Sequence, residues 1–228
     1  YKSFAVKYFA VLSIFSFHLT NAEVFISEYS EGSSTNKYLE IYNGTGADLD
    51  MAGYGIGICN NEHGSGDNPD PLYEVLTVLE GTCAPGDVFV VSRTSADSVI
   101  LSQADWTDGG GTGAPASFNG DDWLGLYKIN SDGTETLIDV IGNDPSSANP
   151  PNHDVAGVTG AGKDHTLVRK PGINSGNVDW AASSGTSAEN SEWIVYDQNS
   201  WEFLGSHQAE VPSPFAGTWK LSPIAGAL

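Results

Sequence analysis

The sequence predicts an all-β domain, a sandwich or a barrel, and three observations predict it. Short runs rich in Val, Ile, Leu, Tyr and Phe recur along the chain, each bounded by clusters of Gly, Asp, Asn and Ser. The 228 residues include 27 Gly and 11 Pro, which supply many turns. Long stretches with apolar residues at helical spacing are hard to find. Hydrophobic residues at 39% and aromatics at 11% are enough for a core, and the length suits one large domain.

Taken in order, the first strand is expected at Val24–Tyr29. Tyr38–Tyr42 alternates, with Leu39 and Ile41 on one face and Tyr38, Glu40 and Tyr42 on the other. Tyr54–Cys59 follows, and its glycines permit close packing or a bulge. Tyr73–Leu79 and Val88–Arg93 are the next apolar runs. Ser95–Ala104 breaks the pattern: Val99, Ile100 and Leu101 lie near Ala96 and Ala104, as in a short helix capped by Ser95 or Thr94. Trp123–Ile129 and Glu135–Ile141 flank Asn130-Ser131-Asp132-Gly133, a hairpin signal. His165–Lys170 and Trp193–Tyr196 complete the set. Between them lie long polar loops at 60–72, 105–118, 144–164 and 174–190, a length usually tied to function.

The ends read differently. Lys2 and Lys7 precede the apolar run Tyr8–Phe17, and Thr20-Asn21-Ala22 offers small residues for cleavage, so residues 1–22 are expected to be a secretory signal peptide. The run is shorter than the roughly 20 residues of a spanning helix, so no membrane span is expected in the mature chain. Residues 23–208 are expected to form the β domain and 209–214 a Pro-stiffened linker. The apolar pattern around Trp219 and Leu221 in 215–228 reads as the start of a further module, cut short.

Charge narrows the partners. The net charge is −20, and removal of Lys2 and Lys7 with the leader takes it to −22. Such a surface repels phosphate backbones and anionic membranes, which disfavours direct nucleic-acid binding. The default for Cys59 and Cys83 in an exported chain is a disulfide; the alternative is a pair of buried thiols.

Several segments, in order, carry a resemblance. They are Val24-Phe25-Ile26-Ser27-Glu28-Tyr29, Asn36-Lys37-Tyr38-Leu39-Glu40-Ile41-Tyr42-Asn43 and Leu49-Asp50-Met51-Ala52-Gly53-Tyr54. Gly86-Asp87-Val88-Phe89-Val90-Val91, Phe118-Asn119-Gly120-Asp121-Asp122 and Ile138-Asp139-Val140-Ile141-Gly142 follow. Asp164-His165-Thr166-Leu167-Val168-Arg169-Lys170, Glu192-Trp193 and Phe203-Leu204-Gly205 close the series. Together, over 23–208, they resemble the lamin-tail domains of secreted bacterial proteins. The resemblance implies an immunoglobulin-like β-sandwich, to which the residues themselves add long polar loops and one short helix. It also implies a module found beside extracellular hydrolases or in surface and adhesion proteins.

A search for chemistry finds no complete catalytic constellation. His63, His153, His165 and His207 fit no His-Glu-x-x-His zinc pattern, and Gly64-Ser65-Gly66 lacks the flanks of a nucleophile elbow. In Gly160-Ala161-Gly162-Lys163-Asp164 the last residue lacks the hydroxyl of a phosphate loop. Asp164-His165 reads as a turn cap beside a strand edge rather than a dyad, because no nucleophile is placed with it. Glu28 and Glu40 could pair as acid and base; on alternating strands they more often face solvent or accept backbone bonds near a loop. Asp67 and Asp70 in one loop, and Asp121 and Asp122 in another, cluster oxygen ligands suited to calcium, or simply to solvent. Trp106 and Trp180 sit in polar loops, where an indole can stack on a sugar ring; Trp123 and Trp193 lie on strands and are expected in the core. Asn43-Gly44-Thr45 has the form of a glycosylation sequon and reads as a turn.

The expectation is a secreted, non-catalytic binding or adhesion module whose partner is an extracellular protein or polysaccharide. No cofactor is required, and calcium is the one candidate ion. The alternative is an accessory domain of an extracellular nuclease, phosphatase or glycosidase whose catalytic domain lies beyond residue 228.

Overall fold

The computed structural model describes residues 23–60, 73–145 and 151–207. Alternating apolar residues need two surfaces to bury against, and the chain supplies them as two sheets. The strands are β1 (Val24–Glu31), β2 (Lys37–Asn43), β3 (Leu49–Asp50), β4 (Tyr54–Cys59), β5 (Val75–Val78) and β6 (Thr82–Cys83). Then come β7 (Val88–Arg93), β8 (Trp106–Asp108), β9 (Trp123–Ile129), β10 (Glu135–Ile141), β11 (His165–Arg169) and β12 (Trp193–Asp197). Two short helices, α1 (Ser98–Leu101) and α2 (Trp180–Ser184), lie in the connections.

One sheet has the order β12-β11-β1-β2-β7-β8, the other β10-β9-β4-β5, and β3 pairs with β6 in a small ribbon. Pairing is antiparallel except between β7 and β8. Ile26, Leu39, Ile41, Phe89, Val91 and Leu167 of the larger sheet meet Ile56, Ile58, Leu124, Leu126 and Val140 of the smaller. Each such side chain contributes roughly 1.5–3 kcal/mol on leaving water. The result is an immunoglobulin-like all-β sandwich, as the sequence predicted.

The larger sheet is covered on its other face too. Phe25, Tyr38, Tyr42, Val88 and Val90 form a second apolar cluster there, under Ala96, Ile100, Trp201 and Leu204. This explains why β1 and β2 are buried at every position despite alternating side chains. Both sheets carry a register shift, between Ile26 and Glu28 in β1 and between Leu137 and Asp139 in β10. On the smaller sheet Gly57 lets two aromatics close over the strand. A Cβ there would lie 2.8 Å from the Tyr127 ring and 3.0 Å from Tyr73.

Three sequence expectations need correction. The helix expected over 95–104 is confined to Ser98–Leu101, and its cap is Asp97, whose carboxylate accepts the Val99 amide. The 174–190 loop contains α2, capped by Asp179 on the Ala182 amide, so there are two short helices rather than one. The expected Cys59–Cys83 disulfide is absent, and both residues are buried thiols. Cys59 ends β4 opposite Trp123, whereas Cys83 pairs with Leu49 in the ribbon, which is tied to the Tyr54 end of β4 by the Leu79 amide on the Tyr54 carbonyl. The length of β4, roughly 3.3 Å per residue, separates them, and a disulfide needs Cα atoms within about 7 Å.

Candidate functional site

Glu28 on β1 lies directly opposite Glu40 on β2, on the outer face of the larger sheet. Each is 1% exposed, so neither is on a solvated face. The Tyr38 hydroxyl donates to Glu28 Oε1, while Glu28 Oε2 has no partner among the described residues. Glu40 accepts from Ser27 Oγ at 2.7 Å and from the Gly205 amide at 2.7 Å. Burial, and then the charge of Glu40, pushes the Glu28 carboxyl up to about 8; burial pushes Glu40 up to about 7.

The cover over this pair is the segment 201–207. Trp201 and Leu204 pack on the apolar cluster, and the His207 ring lies 5.3 Å from Phe25 and 4.9 Å from Tyr42. Burial, then the charge of Arg169, brings His207 down to about 4. Beside it Val168, Ile194, Tyr196, Phe203 and His207 line a pocket of about 360 Å³. The arrangement closes the carboxylates off from solvent, which removes the acid–base geometry that a substrate would need.

Asp164 and His165 do not form a dyad. The Asp164 carboxylate accepts from Gln198 Nε2 at 2.5 Å, and His165 Nδ1 lies 2.6 Å from the Lys163 carbonyl. Asp164 holds a left-handed turn, with φ of 56°.

Of the expected calcium ligands, Asp67 and Asp70 lie outside the described residues. Asp121 is half-buried just before β9. Asp122 is fully buried, and its Oδ2 accepts from the Asn119 amide at 2.6 Å and from Asn60 Nδ2 at 3.2 Å. Among the described residues no group of three or more His, Cys, Asp and Glu is placed to hold a metal ion. The Asp122 carbonyl faces His153 Nε2 at 2.8 Å, and His153 Nδ1 faces the Asn143 amide at 3.4 Å. A carbonyl only accepts and an amide only donates, so the ring is neutral with its proton on Nε2. Burial pushes its pKa below the ordinary value.

The tryptophans divide differently from the expectation. Trp193 is buried, and so is Trp180, which stands on α2 at 6.4 Å from Trp193. Trp106 is half-buried on β8. Trp123 and Trp180 share a pocket of about 370 Å³ with Asn143, Asp144, Val178 and Asp179. Indoles and polar side chains come together in this concavity.

Sequence reading missed the buried ion network around Arg169. Its guanidinium donates to the Ile26 carbonyl at 3.1 Å, to Ser183 Oγ at 3.1 Å, and to Asp139 and Glu192 at 2.5 Å each. It stacks at 4.0 Å over the Trp193 ring. The amides of Ile26, Val140 and Asn177 also donate to Asp139. The signal was present: an aspartate inside Leu137-Ile138-Asp139-Val140-Ile141 must find a partner to be buried.

Among the described residues no helix is long and apolar enough to cross a membrane. No curated protein and no solved structure matches the chain. The sequence profile of the lamin tail domain matches residues 19–144, more than half of the chain and the stretch that holds β1 to β10. With the sandwich and the profile in agreement, the chain belongs to the lamin tail domain family, whose shared domain is a non-enzymatic immunoglobulin-like module.

Proposed function

We propose that this chain is a secreted, non-catalytic binding module that holds an extracellular polysaccharide in the pocket between Trp123 and Trp180. The observation that carries the reading is the composition of that pocket. Trp123 and Trp180 line it but are buried, so its apolar contact surface comes chiefly from the exposed Val178, and Asn143, Asp144 and Asp179 stand around it. This mixture suits a sugar, which offers CH groups for apolar contact and hydroxyls for hydrogen bonding. The chemistry-bearing groups elsewhere are committed: Glu28 and Glu40 are closed off, and Asp164 and His165 turn to separate partners. Export follows in this reading from the apolar leader at 1–22. Calcium would act on loop stability, through the carboxylates at 67, 70, 121 and 122, and not on chemistry.

The test is calorimetric titration of the full chain with soluble glucan, xylan and chitin oligosaccharides. Val178 lines the pocket and is 56% exposed, so Val178→Asp should obstruct binding without unfolding the chain. Saturable binding to one sugar, abolished by Val178→Asp, is expected. Absence of binding to all three, or binding untouched by the substitution, would overturn the reading and leave a protein partner as the alternative.

A further inference from the structure

We propose that residues 201–207 form a pH-gated strap, latched on the outer face of the larger sheet through the Gly205 amide and opened by ionisation of the Glu28–Glu40 pair beneath it. Four observations of geometry carry this. The two carboxylates are cross-strand neighbours on one face. Both are buried to 1% exposure. One oxygen of Glu28 finds no partner among the described residues, so an ionised Glu28 would leave a buried charge only half satisfied. The strap is tied directly to the pair, because Gly205 donates to Glu40 Oε2.

Among the described residues the surroundings offer no compensating cation. Across β2 stand Tyr38 and Glu40, and from the strap comes Glu202, which raises Glu28 further. Asp87, in the turn before β7, raises Glu40. On β7 itself the facing residues Val88 and Val90 are apolar, and Asp105 is held by the Val90 amide. From β11 the residue opposite Glu28 is Val168. Its neighbour Arg169 is spent on Asp139 and Glu192. The other titratable groups at the strap are His207 on it, Tyr42 beneath His207, and Tyr196 against Phe203.

The direction of the effect follows. With the strap closed Glu28 holds its proton up to about 8; released into water it returns to about 4.5. Between those values the open form has fewer protons, so closure weakens as pH rises. Glu40 acts in the same sense up to about 7. His207 acts oppositely: it stays neutral down to about 4 when closed, and takes up a proton below 6.5 when open, so acid favours opening. Closure is therefore strongest in mildly acidic solution and declines towards pH 8. Opening would take the His207 ring off Phe25 and Tyr42 and remove Trp201 and Leu204 from their cluster, which keeps Ala96 and Ile100 over it.

Hydrogen exchange of the Gly205 amide in the full chain tests this, after correction for intrinsic exchange. The expected result is a fall in its protection of about tenfold or more between about pH 6.5 and about pH 8.5. Glu28→Gln with Glu40→Gln should abolish that pH dependence. Equal pH dependence in wild type and double variant would overturn the proposal. Should the double variant not fold, carbon NMR of the wild-type Glu28 carboxyl decides: a midpoint well above 4.5 upholds the latch, and titration at the ordinary carboxylate value overturns it.

Discussion

Arg169 and Asp139 form an ion pair in which neither side chain has any exposure, and the pair joins the two sheets of the sandwich. Arg169 belongs to β11 of the larger sheet and Asp139 to β10 of the smaller. The carboxylate also accepts the Ile26 amide at the register shift of β1, so the pair closes the sandwich where its ladders are irregular. Burying two charges costs solvation, and the converging donors offset that cost only while both partners are present.

Removal of one partner should therefore be severe. Arg169→Met is expected to lower the stability of the full chain by roughly 3–5 kcal/mol in urea unfolding, because Asp139 would remain buried without its cation. A double-mutant cycle with Asp139→Asn should give a coupling of roughly 1 kcal/mol or more. Additive losses would mean that the two residues act separately.

The same network leaves no room at Gly176. A Cβ there would lie 2.2 Å from the Ile138 carbonyl and 2.7 Å from Asp139 Cβ. Gly176→Ala should cost roughly 1–3 kcal/mol through displacement of β10. Gly53, which has nothing within 4 Å of its Cβ direction, is the control. Gly53→Ala should stay within about 0.5 kcal/mol of wild type, and similar losses at both sites would refute the steric account.

His153 sets an acid limb. Its depressed pKa means that the unfolded chain takes up a proton first as pH falls through 6.5. The stability it contributes is present above 6.5 and is lost progressively below it. His153→Gln should flatten the pH dependence of urea unfolding over that range. A wild-type stability that rises on acidification in step with the variant would contradict the assignment.

The cysteines should behave as two thiols. Burial, with Asp87 next in weight, pushes the Cys83 thiol up to about 12, and Cys59 is buried beside Trp123. Both should resist a maleimide in native buffer and react in denaturant without reductant. Failure to label in denaturant would restore the disulfide.

Where side-chain periodicity is set by the backbone, the sequence announced the structure. Tyr54–Cys59, Val88–Arg93, Trp123–Ile129 and Glu135–Ile141 match β4, β7, β9 and β10 at both ends. Each is a run of apolar or β-branched residues between turn formers. The ribbon strands Leu49–Asp50 and Thr82–Cys83 were missed, because two residues carry no period to read. Burial of Glu28 and Glu40 was illegible for another reason. Their strands alternate as half-solvated strands do, and what covers the polar side is a segment some 160 residues later. The Trp123–Trp180 pocket likewise depends on α2 packing against β9 and β10, a contact between distant segments.

The pairing of β1 also governs how the chain must fold. Its neighbours are β2, reached by a tight connection, and β11, where Glu28 meets Val168. Until His165–Arg169 has been synthesised, one side of β1 has no partner strand, and its backbone amides and carbonyls form a bare edge. The profile match ends at 144, before that partner appears. A fragment cut there would hold ten of the strands and an unguarded border along β1, a template for other chains to join. Completion by so remote a segment also makes folding slow, since the loop must close before the contact rewards it. During translation, then, the hazard of aggregation lasts until the last third of the chain arrives to seal the sheet.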